Sequence, residues 1–167
     1  MHSAEHTTLL IQQAQHCIDG GKVEQALQIC LNGLLQNDHD VDLWNFTSNI
    51  YRMTNQPDKA HHAMQRSAEL LFQSGDIDAA VVVYRKIVNQ FPQDAQAQLA
   101  LATIYRQQGQ VSRAALAYEL ASQALAAVGL VADSLAAGQR ILEMSPDNVG
   151  RRIRLAEQYA GADMKSD

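Results

Sequence analysis

The chain repeats itself with a fixed period of about 54 residues. A shift by one period carries Gly21 onto Gly75 and Gly75 onto Gly129, and the same shift carries Pro92 onto Pro146. Self-similarity at a fixed period is typical of repeat proteins, in which each structural unit buries its apolar face against the next one. The pattern therefore predicts a stack of similar units that presents an extended surface.

Composition and charge limit the classes to which the protein can belong. Its 167 residues are 47% hydrophobic and 19% charged, with only 3 prolines, which is the composition of one ordered domain spanning 1–167. A net charge of −5 disfavours a surface for nucleic acid, because such surfaces need clustered Lys and Arg. No apolar run approaches the roughly 18 residues of a membrane span, and the amino terminus lacks a basic leader. We therefore expect a cytoplasmic protein of bacterial type with no membrane insertion.

Turn residues divide the chain into nine predicted helices. Gly20-Gly21, Gly75, Gly109 and Gly129 stand where the left-handed conformation would end a helix. Between such breaks, apolar residues recur at spacings of three and four, and no run alternates with period two for long enough to predict a strand. The fold class predicted is all-α, with helices at 4–19, 23–36, 41–54, 58–73, 76–90, 94–107, 111–127, 130–144 and 148–160.

The segment from Ala95 to Val128 resembles a tetratricopeptide repeat (TPR), a 34-residue helix-turn-helix. The residues that carry the resemblance are Leu101, Ala102, Tyr105, Gly109, Ala114, Tyr118 and Ala121. Further segments fit the same frame at 7–40, 41–74, 61–94 and 115–148, with a partial copy at 149–160. The resemblance implies a TPR-like α-solenoid of about nine antiparallel helices in a superhelical stack. It also implies a protein-interaction module or scaffold that binds a partner protein or peptide on its helical surface.

The overlap of these segments departs from an ordinary TPR array. The fourth predicted helix, 58–73, is the second helix of one segment and the first of the next, and the seventh, 111–127, has the same double part. The period is thus three helices, and a shared helix must present small or apolar residues on two faces. In a two-layer zigzag this period predicts that the third and sixth helices, which carry Tyr51 and Tyr105, lie in opposite layers.

Polar residues away from the packing stripe of the third and sixth helices are the candidate contacts for a partner. These residues are Asn45, Asn49, Arg52, Thr103, Arg106 and Gln107. In the family such positions contact an extended peptide or a partner helix, and the alternative is an ordinary solvated face. The family's basic clamp for the acidic carboxyl terminus of a chaperone is rejected, because Ile11, Asn45 and Leu99 stand where that clamp needs lysines.

No motif for catalysis, a cofactor or a metal is recognisable in the sequence. It has no phosphate-binding glycine loop and no nucleophile with a recognisable base, so we expect a protein that is not an enzyme. His2 and His6 share a helical face, but no third metal ligand is near them. Cys17 and Cys30 occupy core positions of one hairpin, where an axial mismatch of roughly 7 Å disfavours a disulfide. We predict that both thiols are reduced and largely buried.

The last predicted helix is in register with the first helix of a hairpin, but no partner helix follows it. Leu155 and Tyr159 match Leu101 and Tyr105, and we expect them to be more exposed than those residues. With Arg152, they predict an end that docks on a second copy or continues into a longer protein. Two alternatives to the interaction module stay open: a TPR-type secretion chaperone, and a self-associating structural segment of a longer TPR array.

Overall fold

The computed structural model describes residues 2–144, 146–147, 149–150, 152–153, 156–157 and 160, with side chains from residue 5 onward. Eight α-helices make up most of this part of the chain, and no strand occurs in it. They are α1 (His2–Asp19), α2 (Val23–Gln36), α3 (Val41–Met53), α4 (Pro57–Gln73), α5 (Ile77–Gln90), α6 (Ala95–Gln107), α7 (Val111–Ala127) and α8 (Val131–Met144). The all-α prediction is confirmed, and the bounds of the first eight predicted helices agree with these to within two residues.

The ninth predicted helix, 148–160, falls partly outside the described residues. Within it, residues 149–150, 152–153, 156–157 and 160 are described, and all of them are helical. Across the described residues, none of the helices combines the length and the apolar character that crossing a membrane requires.

Local turn chemistry sets the helix ends. Gly109, just after α6, has a φ of 71°, a left-handed conformation that glycine adopts without the steric cost of a Cβ atom. Asn55 has a φ of 55° after α3, and asparagine tolerates this conformation better than most residues. Asp40 and Asp94 cap the other ends of α3 and α6, because their carboxylates accept backbone N–H groups of the first turn. Positive φ angles are found at all four predicted glycine ends: Gly21, Gly75, Gly109 and Gly129.

The chain forms two compact units, and the first is Met1–Val83. Within it α1 packs on α2, α2 on α3 and α3 on α4, so that consecutive helices form antiparallel hairpins. Leu43, at the start of α3, and Cys30 of α2 are fully buried in its core. Gly33 permits this packing, since a Cβ atom there would lie 2.7 Å from a methyl group of Leu43.

The second unit is Tyr84–Asp167. Here α7 packs on both α6 and α8. Small residues make this possible, and the hydroxyl groups of Ser122 in α7 and Ser134 in α8 lie 3.0 Å apart in the buried contact. The buried residues of α7 are Ala114, Ala115, Ala117, Tyr118, Ala121, Ser122, Ala124 and Leu125.

Candidate functional site

The three predicted contact residues of α3 have different surroundings. Asn49 and Arg52 are exposed, as a contact with a partner would require. Asn45 is half-buried, and its side-chain oxygen accepts a hydrogen bond of 2.9 Å from the hydroxyl of Ser67 in α4. Asn45 therefore also joins α3 to α4 within the first unit.

On α6, Arg106 and Gln107 are exposed, whereas Thr103 is half-buried. The Thr103 hydroxyl donates a hydrogen bond of 2.9 Å to the carbonyl oxygen of Leu99, one helical turn earlier. This bond satisfies the hydroxyl within its own helix. The assignment of these six residues of α3 and α6 to partner binding stays a prediction.

The residues predicted for self-association lie at the end of the chain. Arg152 is exposed. Leu155 and Tyr159 lie outside the described residues, so the predicted exposure of that face stays a prediction.

An open groove in the second unit is the strongest candidate site in the described part of the chain. It has a volume of about 250 Å³ and lies between the carboxyl-terminal half of α5 and the helices α6 and α7. Its apolar lining consists of Val88, Leu101, Leu116, Ala117 and Leu120. Its polar lining consists of Arg85, Asn89, Gln98, Tyr105 and Arg113. We call this site the Gln98 groove.

Exposed leucines form one wall of the Gln98 groove. Leu116 is 58% and Leu120 is 38% exposed, although both are large apolar residues. They lie four residues apart on α7, so that they share one face of the helix. Full burial of an exposed leucine is worth roughly 1.5 to 3 kcal/mol, and the part of each side chain that is still exposed would contribute a fraction of this, so the wall is suited to an apolar partner.

The charge of the groove is positive. Arg85 and Arg113 both line it, and none of its described lining residues is acidic. The Arg113 guanidinium lies 5.8 Å from the ring centroid of Tyr105, and it donates a hydrogen bond of 2.8 Å to the side-chain oxygen of Gln110. Both contacts are with uncharged groups, so the positive charge of Arg113 is not neutralised by a neighbour.

Gln98 lines the groove and can offer hydrogen bonds to a bound molecule. It is only 5% exposed, and its side-chain amide forms no hydrogen bond with any described residue. An amide has two N–H donors and one carbonyl acceptor, and among the described residues no fully buried side-chain polar atom lacks a hydrogen-bond partner, so the amide of Gln98 faces the solvent of the groove. Water or a bound partner in the groove is the available source of that hydrogen bond.

The two cysteines are free thiols. Cys30 is fully buried as predicted, and burial raises the pKa of its thiol to about 11, an effect that a hydrogen bond with Thr47 partly offsets. Cys17 is half-buried and packs against the same core cluster as Cys30, in agreement with the prediction of two largely buried thiols. It lies near the end of α1. A search of the described residues finds no group of three His, Cys, Asp or Glu side chains placed to hold a metal ion.

The sequence prediction missed the Gln98 groove. Its polar candidates lie on α3 and α6, whereas the leucine wall of the groove belongs to α7, the helix treated as wholly structural. One signal was available. Gln98 stands one period after Trp44, and the exchange of a large ring for a smaller side chain indicates a vacant volume.

Helical hairpins with an open groove define a protein of the helical repeat class. The family profile described as "Tetratricopeptide repeat" matches residues 71–128, so the predicted resemblance is confirmed for that segment. A comparison with curated protein sequences finds no match.

Solved structures are similar to most of the chain at low identity. MamA from Desulfovibrio magneticus is 17% identical over 95% of this chain and 93% of its own, with a TM-score of 0.43. A thermophilic TPR protein of Thermus thermophilus is 14% identical over 92% of this chain and 99% of its own, with a TM-score of 0.34. YrrB, described as a TPR protein with an unusual peptide-binding site, is 13% identical over 87% of this chain and 89% of its own, with a TM-score of 0.34.

Proposed function

We propose that this protein is an interaction module that binds a segment of a partner protein in the Gln98 groove. The observation that carries the proposal is the exposed pair Leu116 and Leu120 beside two arginines that no lining carboxylate neutralises. Exposed apolar side chains next to a few polar groups are typical of sites that bind other molecules. The family match of residues 71–128 supports the same function, because TPR segments present binding surfaces.

Binding is favoured over catalysis by the chemistry of the groove. Arginine, asparagine, glutamine and leucine side chains can hold and orient a ligand. The tyrosine that lines the groove, Tyr105, is half-buried beneath Arg113 and has no base beside it among the lining residues. The exposed residues Asn49 and Arg52 of the first unit, and Arg106 and Gln107 of the second unit, are further proposed contacts with a partner, each pair within its own unit.

We further propose that the architecture itself has the three-helix period of the sequence. The bounds of α2, α5 and α8 differ by one period at both ends, and so do those of α3 and α6 and those of α4 and α7. Side-chain contacts repeat as well. Lys59 lies 5.6 Å from the ring centroid of Tyr51, and one period later Arg113 lies 5.8 Å from that of Tyr105. The placement of α3 and α6 in opposite layers stays a prediction of this period.

Three further predictions concern a role as a secretion chaperone, a role as a self-associating segment, and a cytoplasmic location. Co-purification from native extract separates the alternatives: one exported client would indicate a secretion chaperone, and multimers of the chain itself would indicate a self-associating segment. Light scattering of the Leu155→Asp and Tyr159→Asp variants tests whether the last helix forms the contact in such multimers. Imaging of the tagged protein in its host tests the cytoplasmic location.

Selection from a displayed library of random peptides tests the proposed function directly. We expect the full chain to enrich peptides that an unrelated acidic helical protein does not enrich. A double variant, Leu116→Asp with Leu120→Asp, should lose them, because it places charge on the apolar wall of the groove. The matched control is Leu9→Asp with Leu35→Asp, which changes two exposed leucines of the first unit and should keep them.

Two results would contradict the proposal. If no peptide is enriched above the unrelated protein, the chain is not a module that binds peptides. If the selected peptides bind the α7 double variant as well as the unchanged chain, binding takes place outside the Gln98 groove.

A further inference from the structure

The first unit contains a filled counterpart of the Gln98 groove. There the indole ring of Trp44 packs against the cluster of Tyr51, Ala60 and Ala63. It lies edge-on to the ring of His62 at a centroid distance of 6.1 Å. Trp44 thus covers the contact between α3 and α4 with an aromatic side chain that belongs to the chain itself.

The residues beneath Trp44 recur one period later, but the tryptophan does not. Tyr51 and Ala63 correspond to Tyr105 and Ala117, which line the Gln98 groove. Trp44 itself corresponds to Gln98. Glutamine is smaller than tryptophan and has no ring. The second unit therefore keeps a space at the position of the Trp44 ring, which we call the aromatic seat, and no side chain of its own fills that space.

Two residues next to this space are more apolar in the second unit than their counterparts in the first. His62 corresponds to Leu116 and Arg66 corresponds to Leu120. In the first unit these two positions carry groups with polar ends, and the Arg66 guanidinium contacts the carboxylates of Glu69 and Asp38 at 3.4 and 3.7 Å. In the second unit both side chains are leucines open to solvent, which favours an apolar occupant.

The size of the groove agrees with a single side chain. Sites for drug-sized ligands have volumes of roughly 300 to 1,000 Å³, and the groove has about 250 Å³. It can hold one aromatic ring together with the backbone that carries it. The amide of Gln98, which faces the solvent of the groove and forms no hydrogen bond with a described residue, can then bond to that backbone.

The charges of Arg85 and Arg113 favour acidic residues next to the bound aromatic residue. Arg85 forms no ion pair with a described residue, and the polar and ring contacts of Arg113 with described residues are those to the uncharged groups of Tyr105 and Gln110. Charge-assisted hydrogen bonds between arginine and a carboxylate are the strong ones, and both carboxylate oxygens can take part. An acidic residue beside the aromatic one would therefore complete the complementarity.

We propose that the Gln98 groove seats one aromatic side chain, tryptophan or phenylalanine, of an acidic segment in a partner protein, in the place that Trp44 occupies in the first unit. This inference rests on the proposed function and narrows it to one kind of ligand. The partner residue is the counterpart of Trp44, and its acidic neighbours face Arg85 and Arg113.

A series of three labelled peptides tests the ligand chemistry by fluorescence anisotropy with the full chain. The parent peptide has one tryptophan flanked on each side by two aspartates. The second replaces the tryptophan with alanine, and the third replaces the aspartates with lysines. We expect each replacement to weaken binding at least about tenfold, which corresponds to ~1.4 kcal/mol. Equal binding of all three peptides, or no binding of the parent, would overturn the inference.

Gln98→Trp tests the seat itself. It restores the residue of the first unit, so the groove should be filled from within and the parent peptide should bind at least about tenfold more weakly. Gln123→Trp adds a tryptophan at an exposed position of α7 outside the groove lining and should bind the peptide like the unchanged chain. A Gln98→Trp variant that folds and binds the peptide with unchanged affinity would overturn the inference.

Arg85→Glu tests the ligand chemistry independently and remains available if Gln98→Trp does not fold. Arg85 is exposed, so its replacement leaves the core intact. We expect this variant to bind the aspartate peptide more weakly than the unchanged chain does, and to bind the lysine peptide more tightly. An equal effect on both peptides would contradict the role of the arginine.

The library selection separates this inference from the proposed function. Selected peptides whose binding requires Leu116 and Leu120 but which share no aromatic residue would support the proposed function and contradict the aromatic seat. A library that yields no binder would remove both.

Discussion

The hydroxyl of Ser67 in α4 donates a hydrogen bond of 2.9 Å to the side-chain oxygen of Asn45 in α3. Ser67 is fully buried and Asn45 is half-buried, so the bond lies inside the hairpin. In the second unit the corresponding residues are Ala121 and Leu99. A polar contact in one copy is therefore replaced by an apolar pair in the other.

Ser67→Ala should lower the free energy of unfolding of the first unit by about 1 kcal/mol, because it leaves the Asn45 oxygen without its donor. The double variant Asn45→Leu with Ser67→Ala imports the pair of the second unit, and it should recover part of that loss. Urea unfolding followed by the fluorescence of Trp44, the single tryptophan of the chain, measures both. The loss in free energy of unfolding should be smaller for the double variant than the sum of the losses for its two single variants. A larger loss would contradict this account.

Gly33→Ala should destabilise the first unit by about 1 to 2 kcal/mol. The added Cβ atom would lie 2.7 Å from methyl carbons of both Leu10 and Leu43, and overpacking of this kind outweighs the roughly 1 kcal/mol that alanine gains over glycine in a helix. Gly20→Ala is the control, because its Cβ atom would make only ordinary contacts, at 3.5 Å or more. If both variants unfold at the same urea concentration, the close packing at Gly33 is not what constrains that position.

Stability should depend on pH through Cys30. Its pKa rises from 9.0 to about 11 in the folded protein because the thiol is buried. Below pH 9 the thiol is protonated in both states and the effect is absent. Between about pH 9 and 11 only the unfolded chain loses the proton, so the free energy of unfolding should fall as the pH rises, by about 2 to 3 kcal/mol in all.

Cys30→Ala isolates this effect, since Tyr51 also has a raised pKa from burial and keeps it in both proteins. The difference in stability between the variant and the unchanged chain should shrink as the pH rises from 9 to 11. A constant difference would contradict the assignment. Thiol labelling at pH 8 should modify the half-buried Cys17 well before Cys30.

Asn55 tests the left-handed turn after α3. Asn55→Gly should leave the stability unchanged to within about 0.5 kcal/mol, because Gly109 has the same place after α6. Asn55→Ala should cost about 1 kcal/mol, since a Cβ atom at positive φ meets the backbone and alanine lacks the local hydrogen bonds of asparagine. Equal unfolding midpoints for the two variants would show that the turn changes its conformation.

Helix bounds were predictable because local residues set them. Gly109 and Asn55 end helices through their own φ angles, and Asp40 and Asp94 begin them through hydrogen bonds three residues away. These signals can be read without any knowledge of tertiary contacts. The all-α fold and its hairpins follow from them.

The surroundings of the predicted site residues depend on distant contacts. Asn45 is bound to a residue 22 positions away, and no local pattern indicates that bond. The Gln98 groove is a vacant volume between three helices, so its residues have the apolar spacing of an ordinary core. The sequence shows it only when Gln98 is compared with Trp44, its counterpart in the repeat.

The central claim is that a partner segment binds in the Gln98 groove, and backbone amide chemical shifts test it most directly. The full chain, labelled with ¹⁵N, is titrated with the tightest peptide from the library. We predict the largest shift changes at Gln98, Leu101 and Leu116. Changes confined to the surroundings of Asn49 and Arg52, with the groove amides unmoved, would contradict the claim.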